Sequence, residues 1–499
     1  MQAHADPSAA QPEVVRPRRL SILQRLSWAM VAVAMCVPAM AFEAKALDDW
    51  ITQTIPRYPV AGLTVVVVQD GRAVFDQAYG VAAIDSGEPL SIAHAFHLAS
   101  VSKPVVAVAV MQLVESGKID LDAPVSRYLP YFTLADARVD QVTARRLLAH
   151  TAGMPDVDDY EWDQPQRDDE ALERWVRAQS GKSLLFDPGS DRRYSNVGYE
   201  VLGDMVAKVS GESFEDYIAN HIFAPLDMHN SSFVDSHVPL DRRVSGHTGV
   251  AQSRLTEHYP YNRRHAPSST FHANGPDMAR WLSAFSSPER LAASGLLNAE
   301  SIAQMWTVEF EMSETAQMTL GWFRQGADAL KVLRHGGGDD GFRSEMTVFE
   351  GRDSGYALMT NSEGTPVAEI RRALQQAAAD LPLPDVPRGG PGFVYAQGGV
   401  PALVAQFAAH AQAKEAEGMF AIYALGRELL AENKHDESLA LAEGMVGVYG
   451  DHHRLQHYLA QSRLATGDPQ GARAALNRSL EIRPGFADAQ AMLDQLPPE

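Results

Sequence analysis

Hydrophobic and polar positions predict β-hairpins at the beginning and at the end of a long N-terminal region. Apolar and β-branched residues fill positions 60–68, the turn dipeptide Asp70-Gly71 follows, and positions 73–75 are apolar again. This pattern is typical of two strands joined by a tight turn. Two further strand patterns, at 345–349 and 356–359, are separated by a turn around Asp353. The sequence therefore predicts one antiparallel sheet assembled from both ends of this region.

Between the hairpins, apolar residues recur at helical spacing. A small, apolar helix is predicted to start near Ser100 and to end at Gly117. Further helices are predicted over residues 197–209, closed by Gly211, and over residues 277–285. Together with the sheet, they predict an α+β domain over residues 42–383, with an antiparallel sheet flanked by helices and a helical subdomain.

A change in composition marks the end of this domain. Residues 384–398 are rich in Pro and Gly and predict a linker, and residues 399–499 are rich in Ala and Leu. Similar residues recur there at an offset of 34, a period typical of tetratricopeptide repeats. The matched pairs are Leu425 with Leu459, Gly426 with Ala460 and Leu430 with Leu464. We therefore expect an all-α tetratricopeptide-like domain, with an extra helix around 401–413 and a cap around 486–496; an ordinary helical bundle is the alternative.

The N-terminus has the pattern of an export signal. Arg16, Arg18, Arg19 and Arg25 precede an apolar stretch over residues 26–37, which is too short to span a bilayer. Ala39-Met40-Ala41 then offers a small-residue cleavage site. The pattern predicts a signal peptide over residues 1–41 and a secreted or periplasmic protein. A retained anchor helix is the alternative, and only then would the protein contact a membrane.

Composition and charge narrow the classes of partner. The chain of 499 residues is 45% hydrophobic and carries a formal net charge of −20, which argues against nucleic acid as a partner. Its single cysteine, Cys36, lies in the apolar N-terminal stretch, so we expect no disulfide framework. No His, Asp or Glu set has the spacing of a metal site, and we expect neither metal nor cofactor.

A serine and a lysine three residues apart stand at the head of the first predicted helix. On a helix, positions i and i+3 share a face, so the Ser100 hydroxyl and the Lys103 ammonium are expected side by side. A helix start also presents free N–H groups that favour a negative oxygen. Alone, this pair is a weak signal, since a surface serine and a solvated lysine occur often.

Three more motifs follow this pair in order. They are Leu147-Leu148-Ala149-His150-Thr151-Ala152-Gly153, Tyr194-Ser195-Asn196 and His335-Gly336-Gly337-Gly338. Together with Ser100-x-x-Lys103 they resemble the serine β-lactamase and penicillin-binding-protein-like family, in its class C and esterase-like branch, over residues 47–381. The resemblance implies a β-lactamase/transpeptidase-like fold for the first domain.

The resemblance also implies roles for the motif residues. Ser100 would be the nucleophile that forms an acyl-enzyme, and a serine hydroxyl needs a neighbouring base. That base is either neutral Lys103 or the phenolate of Tyr194, which a cationic Lys103 would favour. Asn196 is expected to hydrogen-bond Lys103 or a substrate amide.

The glycine-rich motif is expected on a strand that lines the site. Glycine lets the backbone approach a ligand closely, and this applies to Gly337 and Gly338. By the resemblance, the N–H groups of Gly338 and Ser100 form the oxyanion hole. We interpret His150 and Thr151 as a structural turn.

His335 departs from the family pattern. Typical members carry a lysine there, which helps to hold a substrate carboxylate, whereas histidine is largely neutral at pH 7. The departure favours esterases and D-amino-acid peptidases over efficient β-lactamases. Arg343 is an alternative source of positive charge at the mouth of the site, unless it forms an exposed salt bridge.

The expected function is an exported serine hydrolase. It would act on an ester, an amide or D-amino-acid peptide, or a β-lactam, so its partners are a small-molecule or peptide substrate and, through the C-terminal helices, a protein. The alternative is a non-catalytic binding or sensing protein of the penicillin-recognising type that uses its tetratricopeptide-like region to bind a partner.

Overall fold

The computed structural model describes residues 42–249, 252–326, 330–412, 419–450 and 452–497. The predicted signal peptide, its arginines and Cys36 lie outside the described residues. Within the described part of the chain, no helix is both long and apolar enough to cross a membrane.

An eight-stranded antiparallel sheet forms the framework, with strand order β2-β1-β12-β11-β10-β9-β8-β7. Its strands are β1 (Gly62–Gln69), β2 (Arg72–Gly80), β7 (Phe310–Ser313), β8 (Ala316–Met318), β9 (Phe323–Gln325), β10 (Val332–Asp339), β11 (Phe342–Phe349) and β12 (Ser354–Thr360). Two small pairs lie outside it, β3 (Phe96–His97) with β6 (His272–Ala273) and β4 (His247–Thr248) with β5 (Arg254–Leu255). The predicted sheet, built from both ends of the region, is therefore confirmed.

Helices cover the sheet and form the C-terminal region. Those of the first region are α1 (Ala44–Thr54), α2 (Ser102–Glu115), α3 (Ala144–Leu148), α4 (Ala171–Arg177), α5 (Asn196–Ser210), α6 (Phe214–Ile218), α7 (Ala266–Ser269), α8 (Gly275–Phe285), α9 (Pro288–Ala293), α10 (Ala299–Met305) and α11 (Val367–Ala378). The C-terminal helices are α12 (Pro391–Gln412), α13 (Met419–Ala431), α14 (His435–Tyr449), α15 (His453–Ala465), α16 (Pro469–Ile482) and α17 (Ala487–Gln495).

Strand β1 is buried on both faces, which explains its unbroken β-branched sequence. Val65 and Val67 pack with α1 and α11 on one face of the sheet. Val66 and Val68 pack into the larger core, which contains α2, on the other face. The turn to β2 uses Asp70 and Gly71 with φ of 49° and 67°, the left-handed conformations of a tight hairpin turn.

Helix α2 starts at Ser102, two residues later than the start predicted near Ser100. Ser100 instead occupies the turn before the helix, where its carbonyl oxygen accepts a hydrogen bond from the Lys103 N–H at 3.1 Å. Ala99 takes a left-handed φ of 47°, which bends the chain immediately before Ser100. The two side chains still meet, because this tight turn continues directly into the helix.

The C-terminal helices have a core of their own. Helix α12 begins at Pro391, inside the segment predicted as a linker, since proline is tolerated in a first helical turn. Its regular geometry is interrupted at Gly398 and Gly399. Helices α14 and α16 start 34 residues apart, as do α15 and α17.

A close contact between α13 and α15 requires a glycine. A Cβ atom built on Gly426 would lie 2.2 Å from the ring of Tyr458, which is fully buried and whose hydroxyl donates to the Ser438 carbonyl at 3.0 Å. The ring therefore has no room to withdraw, and the backbone of α13 must approach it directly.

We predict that Gly426→Ala lowers the free energy of unfolding of the C-terminal helices by about 1–3 kcal/mol, because it overpacks the Tyr458 contact. Gly447→Ala on α14 is the matched control: its added Cβ meets nothing within 4 Å, so it should stabilise that helix by up to about 1 kcal/mol. Hydrogen exchange of α13, α14 and α15 in the full chain measures both changes. Equal protection in the two variants would contradict the packing account.

Candidate active site

A fully buried lysine lies at the centre of the candidate site. The Lys103 ammonium donates to Ser100 Oγ at 3.0 Å, to Asn196 Oδ1 at 2.7 Å and to the Ser268 carbonyl oxygen at 2.7 Å. Its side chain has no exposed surface. Burial lowers the pKa of Lys103 to about 7, against the opposing charges of nearby carboxylates. At neutral pH the amine therefore exists in both protonation states.

Tyr194 lies beside both Ser100 and Lys103. Its side chain interacts with that of Ser100, which partly offsets the rise in the pKa of Tyr194, and its ring centroid lies 4.9 Å from Lys103 Nζ. Burial raises the pKa of Tyr194 well above its usual value, so the group is a neutral phenol at pH 7. Of the two bases left open by the sequence, the lysine has the pKa suited to neutral pH.

The orientation of Asn196 depends on Asp156. Asn196 is the first residue of α5, and Ser195 caps this helix by accepting from the Gly198 N–H at 3.1 Å. Asp156 Oδ1 accepts from the Asn196 backbone N–H at 2.8 Å and from Nδ2 at 3.0 Å. Because its amide group is held by Asp156, Asn196 presents its oxygen to Lys103.

Strand β10 passes directly beside the serine. A Cβ atom on Gly337 would lie 2.2 Å from the Leu98 carbonyl oxygen, 2.4 Å from Ser344 Oγ and 3.1 Å from the Ser100 nitrogen. Only glycine allows the strand to come so close. Gly338 follows on the same strand, paired with Arg343. The strand thus places a run of backbone amides next to the Ser100 backbone.

His335 is buried on β10 and is uncharged. Its Nδ1–H donates to the Gly336 carbonyl oxygen at 2.8 Å, and the lone pair on buried Nε2 has no partner among the residues that the structure describes. Burial lowers the pKa of His335 to about 3, and the charge of Lys103 adds to the shift. Its ring lies 6.4 Å from the Tyr194 ring. His335 therefore offers a hydrogen-bond acceptor to the site but no charge.

His150 supports Tyr194 from behind. Its ring lies 4.3 Å from the Tyr194 ring, and its Nδ1 accepts from the Ser195 N–H at 3.2 Å. Its carbonyl oxygen accepts from the Arg193 N–H at 3.0 Å. These contacts hold the loop that carries the tyrosine, which agrees with the interpretation of His150 as part of a structural turn.

Two further carboxylates, buried Glu200 and half-buried Asp339, hold helix α7 beneath the lysine. Glu200 accepts from the Ser268 hydroxyl at 3.0 Å and pairs with His265 Nδ1 at 2.6 Å. Asp339 pairs with His97 Nε2 at 2.7 Å and also accepts from the Ser269 hydroxyl. Since Ser268 supplies the carbonyl that accepts from Lys103, these pairs fix the floor of the site.

The structure brings the predicted site residues together, and it adds residues that sequence reasoning missed. Around Ser100 lie the six other predicted site residues, Lys103, Tyr194, Asn196, His335, Gly337 and Gly338. Asp156, Glu200, Asp339 and Ser268 were not predicted. Asp156, Glu200 and Asp339 each follow a motif within a few positions, and this proximity is the only feature of the sequence that points to them. In the part of the chain that the structure covers, no group of three or more His, Cys, Asp or Glu side chains could hold a metal ion.

Arg343 runs beside Gly338, where a Cβ would lie 3.3 Å from Arg343 Cδ, and its guanidinium is engaged by the turn that follows. Its Nη1 donates to the Asp339 and Phe342 carbonyl oxygens at 2.8 and 2.6 Å, and its Nη2 lies 3.8 Å from Glu363. Arg343 thus holds the turn between β10 and β11, and Glu363 lies nearby. This arrangement agrees with the alternative that Arg343 forms a salt bridge.

Known proteins match this architecture and these motifs. A family model described as beta-lactamase matches residues 47–381. Protein flp of Staphylococcus aureus (strain COL) is 24% identical over 325 residues, 65% of this chain and 64% of flp. Esterase EstB of Burkholderia gladioli is 31% identical over 233 residues, 42% of this chain and 57% of EstB. The matches thus span less than two thirds of the length of either relative.

Solved structures share the fold. The octameric penicillin-binding protein homologue from Pyrococcus abyssi superposes with a TM-score of 0.60 at 25% identity, covering 68% of this chain and 77% of that one. EstCE1, a hydrolase with promiscuous acyltransferase activity, gives a TM-score of 0.57 at 22% identity, covering 67% of this chain and 98% of that one. The predicted β-lactamase/transpeptidase-like fold is confirmed.

We predict that Gly337→Ala lowers the free energy of unfolding by about 1–3 kcal/mol, because its Cβ would collide with Leu98 and Ser344. The neighbouring Gly336→Ala is the control, since its Cβ meets nothing closer than 3.7 Å. Urea unfolding followed by tryptophan fluorescence measures both. A loss of stability in Gly336→Ala as large as that in Gly337→Ala would show that the close approach is not the cause.

Proposed function

The chain belongs to the beta-lactamase family, and we propose that it is a serine hydrolase that forms an acyl-enzyme at Ser100. The observation that carries this proposal is the bond from the buried Lys103 ammonium to Ser100 Oγ at 3.0 Å. A lysine with a pKa of about 7 supplies a neutral amine next to a serine hydroxyl at physiological pH. That is the activation a serine nucleophile needs.

In the first step, Ser100 Oγ attacks the carbonyl carbon of the substrate and its proton moves to neutral Lys103 Nζ. The carbonyl oxygen gains negative charge, and we assign its stabilisation to the N–H groups of Ser100 and Gly338. Each such donor typically contributes about 2.7–4 kcal/mol to the stability of the transition state. Asn196 and Ser268 keep the amine in place throughout, because both accept from Nζ at 2.7 Å.

Tyr194 acts on the leaving group. As a neutral phenol beside Ser100 and Lys103, it donates a proton to the departing oxygen or nitrogen and recovers one from Lys103. In the second half-reaction, water gives its proton to the same pair and attacks the acyl-enzyme. Free acid is released, and Ser100 regains its hydroxyl.

We propose an ester or a D-amino-acid amide as substrate, rather than a β-lactam. EstB, with 31% identity, is an esterase, and this supports ester hydrolysis. Uncharged His335 stands where typical members carry a lysine for the substrate carboxylate, which argues against efficient β-lactam turnover. The four motifs are intact, which counts against a non-catalytic binding protein.

The C-terminal helices are proposed to bind a protein partner. Helices α13, α15 and α17 line a groove of about 500 Å³ that includes Tyr423, His457, Gln461 and Met492. Buried His457 Nε2 and Gln461 Oε1 have no hydrogen-bond partner within the described chain, so the groove offers polar groups to a peptide. A peptide array probed with the full chain and with His457→Ala tests this. If the full chain binds no peptide, or if His457→Ala binds the same peptides equally well, the groove is not the binding site.

We also propose, from the sequence, that the protein is exported through its N-terminal signal.

We predict that Ser100→Ala lowers kcat/KM for p-nitrophenyl butyrate by at least about 10³-fold, since the nucleophile is lost. The same variant should lose covalent labelling by a fluorophosphonate, mapped by mass spectrometry to the peptide with residue 100. Ser102→Ala is a control for labelling, because Ser102 Oγ is buried and bonded to Ala99 and Phe271. Labelling that persists in Ser100→Ala would contradict the mechanism.

We predict that kcat/KM rises about tenfold per pH unit below pH 7 and levels off above it. The sign follows because only deprotonated Lys103 accepts a proton, and its pKa is about 7. Tyr194→Phe should keep this limb and lower the plateau by about 10²–10⁴-fold. If Tyr194 were the base, its raised pKa would move the rise to alkaline pH, and Tyr194→Phe would abolish it.

A further inference from the structure

Arg192 carries a charge in the site that no carboxylate among the described residues neutralises. Its guanidinium carbon lies 5.1 Å above the Phe323 ring, and that ring lies 5.3 Å from the His335 ring. Its Nε is buried without a hydrogen-bond partner, and its guanidinium forms no ion pair with any residue that the structure describes. A buried donor without a partner is costly, so it marks a place where a ligand atom is expected.

The other cations around Ser100 already have partners. Lys103 is saturated by three acceptors, and Arg343 binds the turn after β10. Arg334 lies on the strand that carries His335, but it pairs with buried Glu345 at 2.8 Å. Among the described residues at this end of the site, Arg192 is therefore the guanidinium left for an anionic ligand.

Arg192 lies close to the place where the leaving group of the substrate is expected. It precedes Tyr194 by two residues, and its charge acts directly on Tyr194 and on His150. In the proposed mechanism, Tyr194 protonates the leaving group, so that part of the substrate lies next to Tyr194. The lone pair on His335 Nε2 repels a carboxylate and accepts an N–H or O–H instead. A carboxylate in this corner therefore lies on the side of Arg192 and Phe323.

We propose that Arg192 is a specificity-determining residue that binds a carboxylate on the leaving-group portion of the substrate. This inference rests on the proposed hydrolase function and narrows its substrate class to esters or amides whose leaving group is an anion. Arginine suits this task because its planar fork matches a carboxylate with two charge-assisted hydrogen bonds. The aromatic wall formed by Phe323 holds the guanidinium in place.

The test compares 3-acetoxybenzoate with its methyl ester, two substrates that differ in the charge of the leaving group. For the parent protein, kcat/KM should be higher for the carboxylate. Arg192→Gln should lower it about 10- to 100-fold for the carboxylate, chiefly through KM, and change it less than about threefold for the methyl ester. Arg192→Lys should retain part of the preference. Arg193→Gln, which alters the exposed neighbour, should behave like the parent.

An equal loss for both esters in Arg192→Gln would assign Arg192 a purely structural role and overturn the proposal. Ser100-dependent hydrolysis without preference for the carboxylate would overturn it as well, while leaving the proposed function intact. Binding of the product 3-hydroxybenzoate, measured by calorimetry, tests the site without turnover. It should exceed binding of methyl 3-hydroxybenzoate in the parent and be lost in Arg192→Gln. Equal binding of the two compounds would contradict the proposal even if neither ester were hydrolysed.

Discussion

The fold must keep one ammonium group out of water next to a serine. A buried lysine is costly unless acceptors surround it, and this chain provides a hydroxyl, an amide oxygen and a backbone carbonyl. The three acceptors come from the turn before α2, from the start of α5 and from α7. Each of these elements is therefore fixed in position by the same charge. The cost of burial is what lowers the pKa of Lys103 into the range where it exchanges protons at pH 7.

The acceptors are themselves held by carboxylates. Asp156 holds Asn196, Glu200 holds Ser268, and Asp339 holds Ser269 on the same short helix. These carboxylates also stabilise the protonated lysine through space. The pKa of Lys103 thus reflects a balance between a dry cavity and a ring of negative charge, and changes in either would shift the pH range of activity.

The sequence predicted the sheet and the central side chains because their signals are local. An unbroken β-branched run, a hairpin turn and the four motifs each lie within a few residues. The start of α2 was predicted two residues too early, because distant segments hold the turn at Ala99 and Ser100. Ala99 forms a bridge with Thr270, and the Leu98 carbonyl oxygen accepts from the Ser344 hydroxyl at 2.6 Å. The roles of Asp156, Glu200 and Ser268 were not predicted for the same reason. Their roles depend on segments that are far apart in the chain, and an Asp or Glu near a motif does not itself indicate a partner. The packing of the described residues likewise shows, as the sequence could not, that Arg192 pairs with none of their carboxylates.

The pairing of β1 with β12 has a consequence for how the chain is made. Thr360 donates to the carbonyl of Gly62 across 298 residues of sequence. Strand β1 emerges early from the ribosome, but its neighbour β12 is synthesised last among the strands, so the central sheet cannot close until the whole domain exists. Closing so long a loop is slow and favours a nascent chain that stays open. The fold of this domain is therefore completed only after β12 has left the ribosome.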